Sequence, residues 1–211
     1  WLKEFFISEE NHQKYFTNCN WSDLKVHQVI HSLISKYKIN IQMGNSTSVR
    51  YVQLFEHHKN ISYYANRGIS GIDGSSSTAV GAASVSPIEN ILITGDLSFI
   101  YDQNAFWSSL LPSNLKIIVI NNQGGGIFNI ISGPKKTPYK KDNFETPHEL
   151  SLEKIAGTFK INYQKATNEK KLNISLNKIF NSKKMEILEC FTGNVKNENI
   201  LNDYFKKIKY K

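Results

Sequence analysis

Cysteine is scarce in this chain of 211 residues: only Cys19 and Cys190 occur, far apart and outside any metal-like spacing. A disulfide between them stays open, but two isolated thiols suit a reducing cytoplasm. Long apolar runs are missing too. None approaches the roughly 20 residues that a membrane-spanning helix needs, which argues against a membrane protein. The start, Trp1-Leu2-Lys3-Glu4, has neither an initiating Met nor a basic-then-apolar signal pattern, so it reads as a cut in mid-chain and the chain as a fragment. Acidic residues are outnumbered, 18 against 26 basic ones, leaving a net charge of +8. The lysines nevertheless sit in separate polar places: Lys135-Lys136, Lys140-Lys141, Lys170-Lys171, Lys183-Lys184 and the tail from Lys206 to Lys211. Asn is abundant as well, which marks compositional bias, and no recognised binding motif accompanies the charge, so nucleic acid is set aside as a partner. With no internal repeat or low-complexity tract, a hydrophobic share of 40% and a charged share of 21% fit one well-packed globular domain.

Along the chain, residues 1–21 are mixed, aromatic and polar without clear period, and read as a connector from a missing upstream domain. The domain proper is expected over residues 22–211. Ser22 can cap a helix in which Val26, Val29, Ile30, Leu33 and Ile34 recur at helical spacing. Strand-like segments follow at residues 39–43, 61–65, 90–94, 115–120, 162–166 and 185–191. Helical patterns are expected at residues 50–55, 76–83, 99–111, 151–159, 172–180 and 199–209, with another starting near Gly126. The segment 115–120, Leu-Lys-Ile-Ile-Val-Ile, is apolar but for Lys116, as in strands buried between helix layers. This alternation predicts an α/β fold: an open, mainly parallel six-stranded sheet with helices on both faces.

Ligands of such sheets bind at the carboxyl ends of the strands. There the chain carries Gly44-Asn45-Ser46, Asn66-Arg67-Gly68, Gly95-Asp96 and Asn121-Asn122-Gln123-Gly124. Asp96 is a carboxylate placed to hold a hard cation, or simply to cap the following helix. Asn122 lies 26 positions further on, room for one helix and one strand, so the two side chains can meet at adjacent strand ends. The run Gly124-Gly125-Gly126 lets the backbone approach a ligand. An octahedral shell for Mg²⁺, or equally Mn²⁺, would take the Asp96 carboxylate, the Asn122 amide oxygen, the Gly124 carbonyl, two diphosphate oxygens and a water. Arg50 and Arg67 can grip carboxylates or form surface ion pairs, and Ser46 can face a ligand or cap a helix. His27 and His31 have ligand spacing on one helix but lack the Glu of a zinc-protease motif. His57-His58 is expected at the surface.

A Gly-Asp followed some 25 to 30 residues on by Asn-Asn resembles the signature of thiamine-diphosphate enzymes. More narrowly, residues 44–50, 66–74, 95–105 and 121–128, and more weakly 144–148, resemble the 2-succinyl-5-enolpyruvyl-6-hydroxy-3-cyclohexene-1-carboxylate synthases of menaquinone biosynthesis. The resemblance is dense from about Gly44 to Phe159. It implies Asp96, Asn122 and the Gly124 carbonyl as metal ligands, with Leu97 and Ser98 touching the diphosphate. It also implies Ile72 near the cofactor, Ile127 and Phe128 lining the active site, and Ser46, Arg50 and Arg67 facing substrates. His148 falls in the matching loop without an assigned role.

By the same resemblance the full protein would be a carboligase using thiamine diphosphate and Mg²⁺, joining decarboxylated 2-oxoglutarate to isochorismate as a homodimer or homotetramer. Such enzymes activate the cofactor with a glutamate from a separate pyrimidine-binding domain, and nothing here matches that domain. The fragment alone is therefore expected to lack catalysis. The rival readings are another thiamine-diphosphate decarboxylase or acetohydroxyacid-type synthase, a non-catalytic phosphate-binding module, and a basic interaction domain.

Overall fold

In the computed structural model, which describes residues 2–193 and 195–209, the six strand-like segments lie side by side in one sheet. Trp1, and Tyr210 and Lys211 of the basic tail, lie outside the described residues, as does the side chain of Lys135. The strands are β1 (Ile39–Met43), β2 (Ile61–Ala65), β3 (Glu89–Gly95), β4 (Leu115–Asn121), β5 (Asn162–Ala166) and β6 (Glu186–Phe191). Their order is β2-β1-β3-β4-β6-β5, and every neighbouring pair is parallel. The expected open six-stranded sheet is present, parallel throughout.

Helices cover both faces because the central strands β3 and β4 are apolar and buried on both. From β4, Ile118 and Ile120 pack with Val26, Ile30, Leu172 and Leu176, on α2 (Asp23–Ile34) and α7 (Glu169–Asn181). Ile117 and Val119, pointing the other way, pack with Ala79, Phe99, Leu152 and Ala156. Those belong to α4 (Ser75–Val85), α5 (Asp96–Tyr101) and α6 (Leu152–Thr158). Lys116, the one charge in that run, is fully buried, and its ammonium donates to the carbonyls of Lys184 and Ser113 at 2.8 and 3.0 Å. The stem fills the core while the head satisfies chain ends below the sheet.

The sequence pattern and the structure differ at several places, among them the helix expected near Gly126, which is a single 3₁₀ turn, Gly126–Asn129. Residues 2–17 form a helix, α1 (Leu2–Thr17), whose Phe16 is buried with Tyr51, Leu201 and Tyr204. Its aromatic residues fall at adjacent positions, Phe5-Phe6 and Tyr15-Phe16, which hides a helical period. It packs on α8 (Asn197–Ile208). The helix expected at 50–55 begins earlier, as α3 (Thr47–Val52). The helix expected at 99–111 starts at Asp96, stops at Tyr101, and is followed by a 3₁₀ turn, Gln103–Phe106. Asp102 ends it: its carboxylate accepts from the Ser77 amide and hydroxyl at 2.8 and 2.7 Å. It thereby serves the first turn of α4, whose own cap position is Gly74.

His27 and His31 stack 6.5 Å apart inside the α2 layer, His27 also against Tyr51 and His31 against Phe55. None of their ring nitrogens has a hydrogen-bond partner, and among the described residues no group of three His, Cys, Asp or Glu could hold a metal. Both are packing groups. Of the pair expected at the surface, His57 is exposed, with its ring on Tyr63, and His58 is half-buried. Burial pushes the His27 imidazole down to about 3 and His31 to about 4. Between those values and the ordinary 6.5 the unfolded chain binds more protons than the folded one, so stability falls as pH drops from about 6.5 toward about 4. Well inside that window each ring contributes a slope of about 1.4 kcal/mol per pH unit. Urea unfolding at pH 7 and pH 5 is expected to show a smaller loss in a His27→Leu/His31→Leu variant than in the wild type. An equal loss would contradict neutral burial.

Candidate functional site

The sheet's strand order reverses between β1 and β3. From β1 the chain runs into α3, whose Val52 joins the α2–α7 layer, and from β3 into α5, whose Phe99 joins the opposite layer. The two connections part and leave a crevice at the carboxyl edge, the usual ligand position in open parallel sheets. A cavity of about 610 Å³ opens there. The structure brings Ser46, Arg50, Arg67, Ile72, Asp96, Leu97, Ser98, Asn122, Gly124, Ile127 and Phe128 together in its wall.

Register explains the central meeting. Gly95 pairs with Ile120 across β3 and β4, so Asp96 and Asn122 emerge at nearly the same height. Asp96 does not act as the cap of α5; Gly95 holds that position, and the Asp96 side chain is 2% exposed. Its Oδ1 accepts from the Leu97 amide at 2.8 Å. Its Oδ2 accepts from the Gly124 amide at 2.9 Å and meets His148 Nε2 at 3.1 Å. That hydrogen bond is the main cause raising the His148 imidazole above its ordinary value, against an opposing effect of burial. His148 had no assigned role in the sequence; here it meets the carboxylate at the same oxygen as the Gly124 amide.

Asn122 donates through Nδ2 to Asp23 Oδ2 at 2.8 Å, and its buried Oδ1 has no partner. The Gly124 carbonyl accepts from Gly126 at 3.0 Å and keeps a second lone pair. A carboxylate, an amide oxygen and a carbonyl oxygen form a hard-oxygen set of the kind Mg²⁺ or Mn²⁺ accepts, with phosphate oxygens and water completing the shell. The unpartnered Asn122 oxygen is the observation that makes the set fit a cation, since buried polar atoms otherwise find partners.

Around this centre, Ser98 Oγ donates to the Ile72 carbonyl at 2.6 Å, tying the 66–74 loop to α5. Any contact of Ser98 with an anion would therefore use its amide at the start of the helix. Asn45, missed in the sequence beyond its place at a strand end, organises the rim. Its Nδ2 donates to the carbonyls of Asn66 and Gly71 at 2.8 and 2.7 Å, and its Oδ1 accepts from Arg67 at 2.9 Å. Arg50 donates to the Ser46 carbonyl at 2.6 Å. Among the described residues neither arginine pairs with a carboxylate, so both keep donors for an anionic ligand. Ser46 occupies the cap position of α3 but makes no side-chain cap bond and has φ 73°. Ser70, Gln123 and Thr146 also have positive φ, 63°, 64° and 47°, in loops around the same cavity. Strained backbone of this kind persists where surrounding structure over-determines it. Phe128 meets Phe144 edge-on at 5.3 Å on the apolar side of the wall, near Ile127.

An oxygen donor set and a helix start meet at the crevice of a parallel sheet, an arrangement whose chemistry suits a cation-bound phosphate group. A protein-family model described as "Thiamine pyrophosphate enzyme, C-terminal TPP binding domain" matches residues 42–190, and the chain belongs to this family. It is also similar to proteins named 2-succinyl-5-enolpyruvyl-6-hydroxy-3-cyclohexene-1-carboxylate synthase. One from Flavobacterium psychrophilum is 45% identical over 194 residues, which is 92% of this chain and 35% of that protein. One from Flavobacterium johnsoniae is 44% identical over 197 residues, 93% of this chain and 35% of that protein. One from Porphyromonas gingivalis is 39% identical over 199 residues, 93% of this chain and 34% of that protein. The chain thus spans about a third of the length of these curated relatives.

Gly124 offers a direct check on the loop geometry. Its φ is +146°, and a Cβ there would stand 2.5 Å from the Glu145 carbonyl oxygen. Gly124→Ala is expected to cost about 1–3 kcal/mol in denaturant unfolding. Gly133→Ala, with open space at its Cβ, is expected to stay within about 0.5 kcal/mol of wild type. Equal stability of the two variants would contradict the close approach of the two loops.

Proposed function

We propose that this chain is the cofactor-diphosphate-binding part of a thiamine-diphosphate- and Mg²⁺-dependent carboligase. That enzyme decarboxylates 2-oxoglutarate and adds the product to isochorismate in menaquinone biosynthesis. Residues 22–211 would form the diphosphate-binding domain, and residues 1–21 would lead into it from the preceding part of the protein. The observation that carries the reading is one cavity holding both an oxygen donor set and two arginines that, among the described residues, have no carboxylate partner. The names of the relatives support the choice of substrates.

In this assignment Asp96, Asn122 and the Gly124 carbonyl hold the cation, and the segment Leu97-Ser98 meets the diphosphate. When bound, thiamine diphosphate supplies the nucleophilic carbon on which a 2-oxo acid loses carbon dioxide. Ile72, Ile127 and Phe128 pack beside the cofactor and keep water away from the reacting carbon. Ser46, Arg50 and Arg67 orient substrate carboxylates, for which a planar guanidinium is suited by its paired donors. The residue that activates the cofactor, a glutamate, would come from the rest of the protein, in a homodimer or homotetramer. The free thiols of Cys19 and Cys190 support a reducing, cytoplasmic setting.

The test uses the full-length protein with Mg²⁺ and thiamine diphosphate, following carbon dioxide release from 2-oxoglutarate together with loss of isochorismate. Arg50→Ala and Arg67→Ala are each expected to lower kcat/KM about 10- to 150-fold, the worth of a charge-assisted hydrogen bond. Turnover of pyruvate in preference to 2-oxoglutarate would point instead to an acetohydroxyacid-type synthase. Binding of phosphate without any turnover would point to a non-catalytic module.

A further inference from the structure

Asparagine is a symmetric-looking ligand: its amide presents an oxygen on one side and a two-proton donor on the other, in nearly the same shape. Only the oxygen can bind a cation. Whether Asn122 offers its oxygen therefore depends on what takes its nitrogen. In this protein the nitrogen is taken by Asp23, 99 positions away in the chain, at 2.8 Å.

Asp23 is the first residue of α2, and an acidic residue there ordinarily sits in solvent and favours the positive end of the helix dipole. Asp23 is instead 1% exposed. Among the described residues no Lys, Arg or His forms an ion pair with it. Burial raises its carboxyl to about 6 in spite of hydrogen bonds from Thr192 and Asn122. Keeping an unpaired carboxylate in such a place is costly, and a neutral residue would fill it at less expense. Its setting is nevertheless built around it. The Thr192 hydroxyl donates to Oδ1 at 2.5 Å, and the Asn197 side chain accepts from its amide at 2.8 Å. Asp23 and Asn122, in direct contact, both line a small void of about 60 Å³.

We propose that Asp23 is a positioning residue for the cation ligand: as a group that only accepts hydrogen bonds, it fixes the Asn122 amide with Nδ2 inward and Oδ1 left for the metal. The inference rests on the reading of Asp96, Asn122 and Gly124 as a cation site. Thr192 and Asn197 hold Asp23, Asp23 holds Asn122, and the chain of contacts links β6 and two helix starts to one ligand atom. Outer-shell partners of this kind commonly tune metal affinity about 10- to 100-fold.

Asp23→Asn separates positioning from packing because it keeps the shape. Thr192 still donates to the oxygen of residue 23, since its alternative acceptor, the Asn121 carbonyl, is 3.4 Å away and already takes the Thr192 amide. The new NH₂ then faces Asn122, which turns its own oxygen toward it and presents protons to the cation. The probe is Mn²⁺, titrated into the full-length protein with saturating thiamine diphosphate while free Mn²⁺ is counted by electron paramagnetic resonance. Asp23→Asn is expected to raise the Mn²⁺ Kd about 10- to 100-fold, with a metal-free Tm equal to or above wild type. A Kd within about twofold of wild type in the folded variant would overturn the proposal and leave Asp23 a packing residue. Should Asp23→Asn not fold, Thr192→Val carries the test by releasing Asp23: a Kd raised about tenfold supports positioning, and an unchanged one overturns it. If wild type itself binds no Mn²⁺ with thiamine diphosphate, the cation-site reading fails and the proposal goes with it. If wild type binds, Asp96→Ala does not, and Asp23→Asn matches wild type, only the role of Asp23 is lost.

Discussion

The carboxylate of Asp96 joins two loops that would otherwise be free to separate. It accepts from the Gly124 amide, is met by His148 from a third segment, and lies at the end of the strand next to the one that delivers Asn122. The carboxylate is all but buried, so these hydrogen bonds act where water competes poorly. The glycine run can come this near only because Gly124 adopts a backbone angle closed to other residues and lies against the Glu145 carbonyl. The 144–148 segment is thereby part of the site's wall, not a surface excursion. Everything proposed for the cavity depends on this clamp holding Asp96 and Asn122 side by side.

The sheet supplies that proximity. Parallel strands place all their carboxyl ends on one edge, and the reversal of order between β1 and β3 sends the neighbouring helices to opposite faces. The crevice so formed receives the arginines from the β1 and β2 ends and the oxygen donors from the β3 and β4 ends. A ligand with a phosphate-bearing end and a separate carboxylate-bearing partner would be held at both ends of one cavity. On that proposal the positive charge facing the ligand is local, at Arg50 and Arg67, which both line the cavity.

Much of this was legible in the sequence, because strands buried on both faces are continuous apolar runs and strand ends in open sheets are where ligand residues gather. Residues 115–120 show this for the fold, and Gly95-Asp96 with Asn121-Asn122 for the site; the edge strand at 162–166, Asn-Tyr-Gln-Lys-Ala, is mostly polar and shows no such run. What escaped notice had physical causes. Helix α1 places its aromatics in adjacent pairs, so no stripe shows. Helix α5 ends early because Asp102 is drawn to the start of α4, a tertiary contact with no local signal. Asp23 follows Ser22 at a helix start, where its carboxylate reads as ordinary capping chemistry; its contact with Asn122 spans 99 positions. His148 sat in a recognised stretch, yet its hydrogen bond to Asp96 could be seen only once the loop was folded back over the crevice.

The central claim is that the oxygen donors at the ends of β3 and β4 bind thiamine diphosphate through a divalent cation. Calorimetric titration of thiamine diphosphate into the full-length protein, with and without Mg²⁺, tests it most directly when wild type and Asp96→Ala are compared. Binding by wild type is expected to require Mg²⁺ and to be lost in a folded Asp96→Ala. Binding that is indifferent to Mg²⁺, or unchanged in Asp96→Ala, would contradict it.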